Sequence, residues 1–279
     1  VGPCVGHRLS MISLAVACAA LRPLLLYVDG FGTHSAQVQR HADQRSTQIL
    51  RLHSRAAASV HIDHGEAAEE ILADTVPLPG DERPWAAQRL HGMQVLGVLC
   101  SSDCGLADAE RLQHTLVPER SNGLHPERRD KWAMVEAMRA AGLAAADQCA
   151  PSCWDDMQSF LRARAYPVVL KPRRGQASVL VGLAHDEPQA RKMHDALRRS
   201  SVSIDASEQA SRDGRLVVQE YLRGVEYVVD TVSAAGEHKA LALWRYDKGE
   251  ENGAPFVYRG DELCAMQSGI EQAVVEYAF

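Results

Sequence analysis

The sequence predicts an α/β protein: a doubly wound parallel sheet followed by smaller α+β lobes. Three observations carry this prediction. Short apolar runs alternate with helical patterns across residues 20–120, the pattern of parallel strands joined by crossover helices. Residues 117–126 hold proline, glycine and asparagine and read as a linker. Beyond them, strands and amphipathic helices continue without an internal repeat. At 279 residues the chain is long enough for two domains. The breaks place these at 23–120 and 121–279, after an N-terminal segment 1–22.

The elements are expected in the following order. Residues 11–21 are apolar and follow His7-Arg8, which gives them the look of a short signal sequence. Arg22-Pro23 stops the run well short of the roughly 20 residues needed to span a bilayer. We therefore expect a buried helix leading into the first strand. Val1 is not an initiator methionine, and we expect a fragment. Leu24-Leu25-Leu26-Tyr27-Val28 is a buried strand that ends in Asp29-Gly30-Phe31-Gly32, a glycine turn into a helix over 36–44. That turn is compatible with a phosphate- or dinucleotide-binding βα turn. However, no third glycine follows at the required spacing, and such turns more often just admit a strand to a helix. A strand at 48–52, a helix at 66–72, a loop at 77–84, a strand at 95–100 and a helix at 106–115 complete the first region.

After the linker, residues 127–141 form a helix ended by Gly142, with Trp132, Val135, Met138 and Leu143 near one face. A helix at 154–163, a strand at 167–171, a turn at 173–178 and a strand at 179–183 follow. Residues 188–199 are an amphipathic helix, 200–215 a polar loop, and 216–221, 226–233 and 240–246 strands.

Composition excludes several function classes. Apolar residues at 46% and charged residues at 24% are ordinary globular chemistry. A net charge of -6 argues against nucleic acid as a partner, because phosphate backbones demand basic surfaces. No segment is long and apolar enough to make a membrane partner. The seven cysteines are an odd number. Cys100/Cys104 and Cys149/Cys153 have no histidine at ligand spacing, so they read as small buried thiols in a reducing, cytoplasmic setting rather than as a metal site.

The chemistry lies in two lysines forty residues apart, Lys131 in Arg128-Arg129-Asp130-Lys131-Trp132 and Lys171 in Val168-Val169-Leu170-Lys171-Pro172. A lysine on a helix surface is normally solvated. A cation that ends an apolar strand is awkward unless an anion meets it. Gln219-Glu220-Tyr221-Leu222-Arg223-Gly224-Val225-Glu226 follows as an acidic segment. There is no G-x-x-x-x-G-K-[ST] loop and no protein-kinase motif set. Cations and carboxylates from separate segments suggest a nucleoside triphosphate site that is neither a P-loop nor a kinase site.

From residue 127 onward these features, in this order, resemble the ATP-grasp superfamily, and residues 24–116 look like the preATP-grasp domain that precedes it. Trp244-Arg245-Tyr246-Asp247-Lys248 and Asn252-Gly253-Ala254-Pro255-Phe256-Val257-Tyr258 point to the carboxylate–amine (amino-acid) ligases within it. The resemblance implies ATP and Mg²⁺ as cofactors, with small-molecule carboxylate and amine substrates. A homodimer is left open. Lys131 and Lys171 would hold phosphates. The loop from Arg173 to Ser178 would close over them, although it has fewer glycines and serines than the family usually shows. Gln219, Glu220, Tyr221 and Leu222 would form the adenine-reading hinge, with Glu220 equally readable as an exposed strand-end charge. Glu226 would accept the ribose hydroxyls, since an ionised carboxylate is a pure acceptor. Arg245 or Lys248 would bind a substrate carboxylate or the acylphosphate, or else solvate a strand. The family's magnesium ligands, a Glu-x-Asn-x-Arg pattern, do not occur after Glu226. The expectation is that they lie beyond Phe279 and that the domain is incomplete at its C-terminus. A carbamoyl-phosphate synthase or carboxylase-type subunit, and a catalytically inactive ATP-binding module, remain as alternatives.

Overall fold

A computed structural model describes residues 21–30, 32–59, 74–175, 178–199, 216–234, 236–266 and 269–279. The helices expected at 11–21 and 66–72 and the loop expected at 200–215 lie outside these residues.

The first sheet is parallel. Strands β1 (Arg22–Val28), β2 (Gln48–His53), β3 (Asp74–Thr75) and β4 (Met93–Cys100) stand in the order β3-β2-β1-β4. Helices α1 (Gly32–Asp43), α2 (Arg55–Ser59), α3 (Glu82–Arg89) and α4 (Leu106–Leu116) connect and cover them. β1 is central, and Leu24, Leu26, Tyr27 and Val28 are all buried, which explains its unbroken apolar run. Leu52, Val76 and Leu112 complete this core.

The turn after β1 is built around a carboxylate. Asp29 takes a left-handed φ of 49° and is fully buried. It accepts hydrogen bonds from Ser54 N at 2.8 Å and Ser102 Oγ at 2.7 Å. One side chain thus ties together the segments that follow β1, β2 and β4. The glycine at position 30 has a packing reason: a Cβ there would lie 2.4 Å from the Tyr27 ring.

The second sheet is antiparallel. β5 (Gln148–Cys149), β6 (Val168–Pro172), β7 (Gly182–Ala184) and β8 (Leu216–Glu220) stand in the order β5-β8-β6-β7. Helices α6 (Trp154–Arg162) and α7 (Glu187–Arg199) cover one face, where Met157, Leu161, Ala190 and Leu197 pack on Val168, Leu170, Leu216 and Val218. Strand alternation sends the intervening residues of β6, Val169 and Lys171, to the other face. There Lys171 pairs in register with Val217, and Val169 with Gln219. Helix α5 (Lys131–Ala140) precedes this sheet.

The third sheet, order β11-β10-β9, joins β9 (Glu226–Ala234), β10 (Glu237–Glu251) and β11 (Ala254–Cys264), and helix α8 (Gly269–Tyr277) follows it. β10 and β11 meet at Asn252-Gly253, with φ of 49° and 79°, the two positive values that a type I′ hairpin turn requires.

Three expectations need correction. The loop expected at 77–84 ends early, because α3 starts at Glu82 and carries Pro84 in its first turn, where a missing N–H costs nothing. The helix expected from 127 begins as a 3-10 turn over Pro126–Arg129, and α5 proper starts only at Lys131. The strand expected from 179 begins at Gly182, because Ser178 and Leu180 take φ of 56° and 59° and break the extended path. β3, β5, β11, α2 and the full length of β10 were not expected.

Gly105 packs against the same turn as Asp29. A Cβ there would sit 2.5 Å from Asp29 Oδ2 and 2.8 Å from Val28 Cγ1. Gly105→Ala should therefore destabilise the chain by about 1–3 kcal/mol through overpacking, read as a lower urea midpoint at unchanged m-value.

Candidate functional site

A cleft of about 540 Å³ opens between the second and third sheets and the start of α5. Its floor is the face of β6 and β8 that α6 and α7 leave uncovered, with Val169, Lys171 and Gln219 on it. Lys131 and Met134 enter from α5, and Glu226, Lys248 and Tyr258 from the third sheet.

Asp130 sets the position of Lys131. Its extended backbone and carboxylate cap α5, accepting from Trp132 N and Ala133 N at 3.1 Å each. The same carboxylate takes Arg173 Nε at 3.0 Å and Arg173 Nη2 at 2.5 Å. The guanidinium lies 5.0 Å from the centre of the Trp132 ring. Lys131 N donates to Arg173 O at 2.8 Å, and Lys131 Nζ to Gly175 O at 2.7 Å. The first turn of α5 is thereby fastened to the segment that leaves β6. Burial pushes the Asp130 carboxyl up, but Arg173 and the two capping N–H groups outweigh it and hold it below the usual carboxylate range.

Lys171 ends β6 in this cleft. Its ammonium is pushed down to about 8, first by burial and then by repulsion from Lys131, with Glu226 opposing the shift. Across the cleft, Lys248 Nζ lies 2.6 Å from Glu226 Oε1, 4.1 Å from the centre of the Tyr258 ring and 5.0 Å from that of Tyr246. Burial opposes its charge, yet the Glu226 and Tyr258 contacts prevail and raise its pKa.

Lys131, Lys171, Ser178, Gln219, Glu220, Tyr221, Leu222, Glu226 and Lys248 all line this one cleft. Arg245, expected either at a substrate or as a solvated strand residue, is not among them. It is an exposed strand residue paired with Glu262 across β10 and β11. Two hinge side chains have structural partners. Glu220 Oε1 accepts from Asp147 N at 2.8 Å, and Gln219 Nε2 donates to Gln148 Oε1 at 2.6 Å. Gln148 in turn donates to Trp132 O at 2.8 Å, which links β8 back to α5. Tyr221 and Leu222 follow the end of β8 and line the cleft. Arg173, expected in a loop that closes, is held by Asp130 instead.

The sequence reading missed Arg128, Arg129, Asp103, Met134, Phe256 and Tyr258 in the cleft lining. Arg129 pairs with Asp103 at 3.1 Å, so the segment after β4 reaches the cleft. The Asn252-Gly253 dipeptide was the signal for the hairpin that carries Phe256 and Tyr258. The cleft's carboxylates are each engaged: Asp103 by Arg129, Glu220 by Asp147 and Glu226 by Lys248. Among the described residues no group of three or more His, Cys, Asp or Glu is placed to hold a metal ion. Lys131, Lys171 and Lys248 offer a polyphosphate positive charge in this cleft. Nor is any helix among the described residues long and apolar enough to cross a membrane.

The profile of the ATP-grasp domain matches residues 128–278. Dapdiamide A synthase of Enterobacter agglomerans is 29% identical over 170 residues, covering 60% of this chain and 39% of the synthase. An L-amino acid ligase from Bacillus licheniformis superposes with a TM-score of 0.61 at 17% identity, over 92% of this chain and 58% of that one. An ADP complex of N5-carboxyaminoimidazole ribonucleotide synthetase gives 0.59 at 16% identity, over 94% and 63%. The chain thus spans less than two thirds of the length of each of these relatives.

Two outcomes follow from the cluster. Asp130→Ala removes a helix cap and strands Arg173, and should cost about 2–4 kcal/mol in urea unfolding. Lys171 has a folded pKa of about 8, below its ordinary 10.5, so the unfolded chain binds more protons between those values. Its destabilising contribution is full below pH 8 and fades as pH rises towards 10.5. Lys171→Met should therefore raise the melting temperature at pH 7, and the gain should shrink between pH 8 and 10.

Proposed function

The chain belongs to the ATP-grasp family, and from that premise we propose that it is the nucleotide-binding part of an ATP-dependent carboxylate–amine ligase of the amino-acid ligase kind. The observation that carries this is the meeting of two lysines of separate segments, Lys131 and Lys171, with the hinge residues Tyr221 and Leu222 in a single cleft. In this reading residues 23–120 form a preATP-grasp domain and 121–279 part of the ATP-grasp domain. The setting is cytoplasmic, and the cofactors are ATP and Mg²⁺.

Phosphoryl transfer is largely positioning and charge neutralisation. Lys131 and Lys171 hold the phosphates as point charges. The adenine lies between Val169 on the floor and Leu222 on the hinge, and backbone groups of Tyr221 and Leu222 meet its polar edge. Glu226 accepts from the ribose hydroxyls. A carboxylate oxygen of the first substrate attacks the γ-phosphorus, the bond to the β-phosphate oxygen breaks, and ADP leaves. The amine then attacks the carbonyl carbon of the acylphosphate, the C–O bond to phosphate breaks, and an amide and phosphate form as the amine gives up a proton. Magnesium, when bound, adds charge neutralisation on the phosphates. Structural likeness to N5-carboxyaminoimidazole ribonucleotide synthetase supports a second reading, in which bicarbonate is the carboxylate.

The test starts with calorimetry. Lys131→Ala and Lys171→Ala should each weaken ATP about 10–100-fold, the scale of one charge-assisted contact. Triphosphate favours the charged form of Lys171, so binding should take up a proton near pH 8 and weaken as pH rises above it, as its pKa of about 8 requires. A Lys171→Ala chain that binds ATP like the parent would end this reading. In a protein of the relatives' full length, phosphate release should need a carboxylate and an amine together, and release with bicarbonate alone would select the second reading.

A further inference from the structure

Lys248 is the cleft lysine that the third sheet contributes. It reaches in from β10, and its ammonium meets Glu226 at 2.6 Å and the Tyr258 ring at 4.1 Å, with Tyr246 behind at 5.0 Å. Lys248 is largely covered, with 17% of its side chain exposed, whereas Glu226 remains 52% exposed. The carboxylate can thus be approached from solvent while its inner side is held by an internal cation. Glu226 also acts on Lys171, whose charge it favours. One carboxylate therefore faces two lysines of the same cleft, one from each sheet.

We propose that Lys248 is a tethered counter-ion that makes the cleft select for polyphosphate over plain nucleoside, a role that rests on the nucleotide reading above. A ligand hydroxyl that takes Glu226 Oε1, the oxygen the ammonium already holds, must compete with it. Breaking that pair, in partial burial and with an aromatic face behind it, is unfavourable. A nucleoside offers nothing in return, because the displaced ammonium gains no new partner. A triphosphate does: the flexible four-carbon stem of Lys248 leaves its head within the cleft that Lys131 and Lys171 line, and a polyanion there takes the freed charge. The same exchange that weakens adenosine thus strengthens ATP. Tyr258 and Tyr246 keep the stem and head on the cleft side in either state.

The test compares adenosine and ATP as displacers of a fluorescent ATP analogue from the whole chain. In Lys248→Met, which keeps a stem to lie on Tyr258, adenosine should bind about 3–10-fold more tightly and ATP about 3–10-fold more weakly, while Lys248→Arg stays near the parent on each. Amine labelling of Lys248, followed by peptide mass analysis, should be slow in the free protein, faster with saturating adenosine and slow again with ATP. Adenosine affinity that is unchanged or weaker in Lys248→Met, or that is undetectable in parent and variant alike, overturns the proposal. If the analogue binds and depends on Lys171 while adenosine does not tighten, the selectivity device falls and the nucleotide reading stands. If the analogue does not bind at all, the nucleotide reading falls and takes the device with it.

Discussion

Two ammonium groups of like charge share one cleft, and the Asp130 carboxylate keeps the elements that carry them together. Lys131 opens α5 and Lys171 closes β6, so nothing in chain continuity sets their spacing. Asp130 caps the helix with one set of acceptor contacts and forks Arg173 with another. Arg173 lies two residues past Lys171, and its carbonyl receives Lys131 N. Helix start and strand end are thus tied into one unit, and the burial and the repulsion from Lys131 that together lower the pKa of Lys171 are built into it. A site of this kind is tensioned without its ligand. An arriving polyanion relieves a cost already present, which is how a protein converts stability into affinity.

The floor follows from strand alternation. β6 must bury Val168 and Leu170 beneath α6 and α7, and the period of two then obliges Val169 and Lys171 to face the other way. A shift of register by one residue would exchange these faces and place the ammonium in the helix-covered core. The lysine's position is therefore enforced by the apolar core on the opposite side of the same strand. The hinge obeys a similar rule. Glu220 and Gln219 are tied to Asp147 and Gln148, so β8 ends at a fixed point and the two residues after it emerge at the cleft.

The sequence disclosed the parts with strong local signals. The apolar run 24–28 and the Val168-Val169-Leu170-Lys171 segment were legible because burial on one or two faces leaves a plain pattern. The late start of α5 was not legible. Arg128-Arg129-Asp130-Lys131 has good helix formers, and Asp130 is held extended as a cap by the N–H groups of Trp132 and Ala133 together with Arg173, which is distant in sequence. The break before β7 depends on positive φ at Ser178 and Leu180, residues with no bias towards it. Arg245 and Lys248, two basic residues three apart on one strand, look alike in sequence, while pairing with β11 brings Arg245 to Glu262 and pairing with β9 brings Lys248 near Glu226. The β10–β11 hairpin was legible at Asn252-Gly253, and missing it hid Tyr258.

The departure of the 173–178 segment from the glycine- and serine-rich form of the family also has a physical account. A loop that closes over phosphates needs freedom in its backbone, and Arg173 has little, being held by Asp130 and by the Trp132 ring. Further along, Gly175 takes a φ of 156°, at the edge of what other residues adopt, and its carbonyl meets Lys131 Nζ. That contact is a place-holder of the same type as the Lys248–Glu226 pair. In each case an ammonium aimed into the cleft rests on an oxygen of the protein. Binding a polyanion is then an exchange of one set of charge-assisted contacts for another rather than the filling of an empty space. Its selectivity comes from how poorly a ligand without phosphates can complete that exchange.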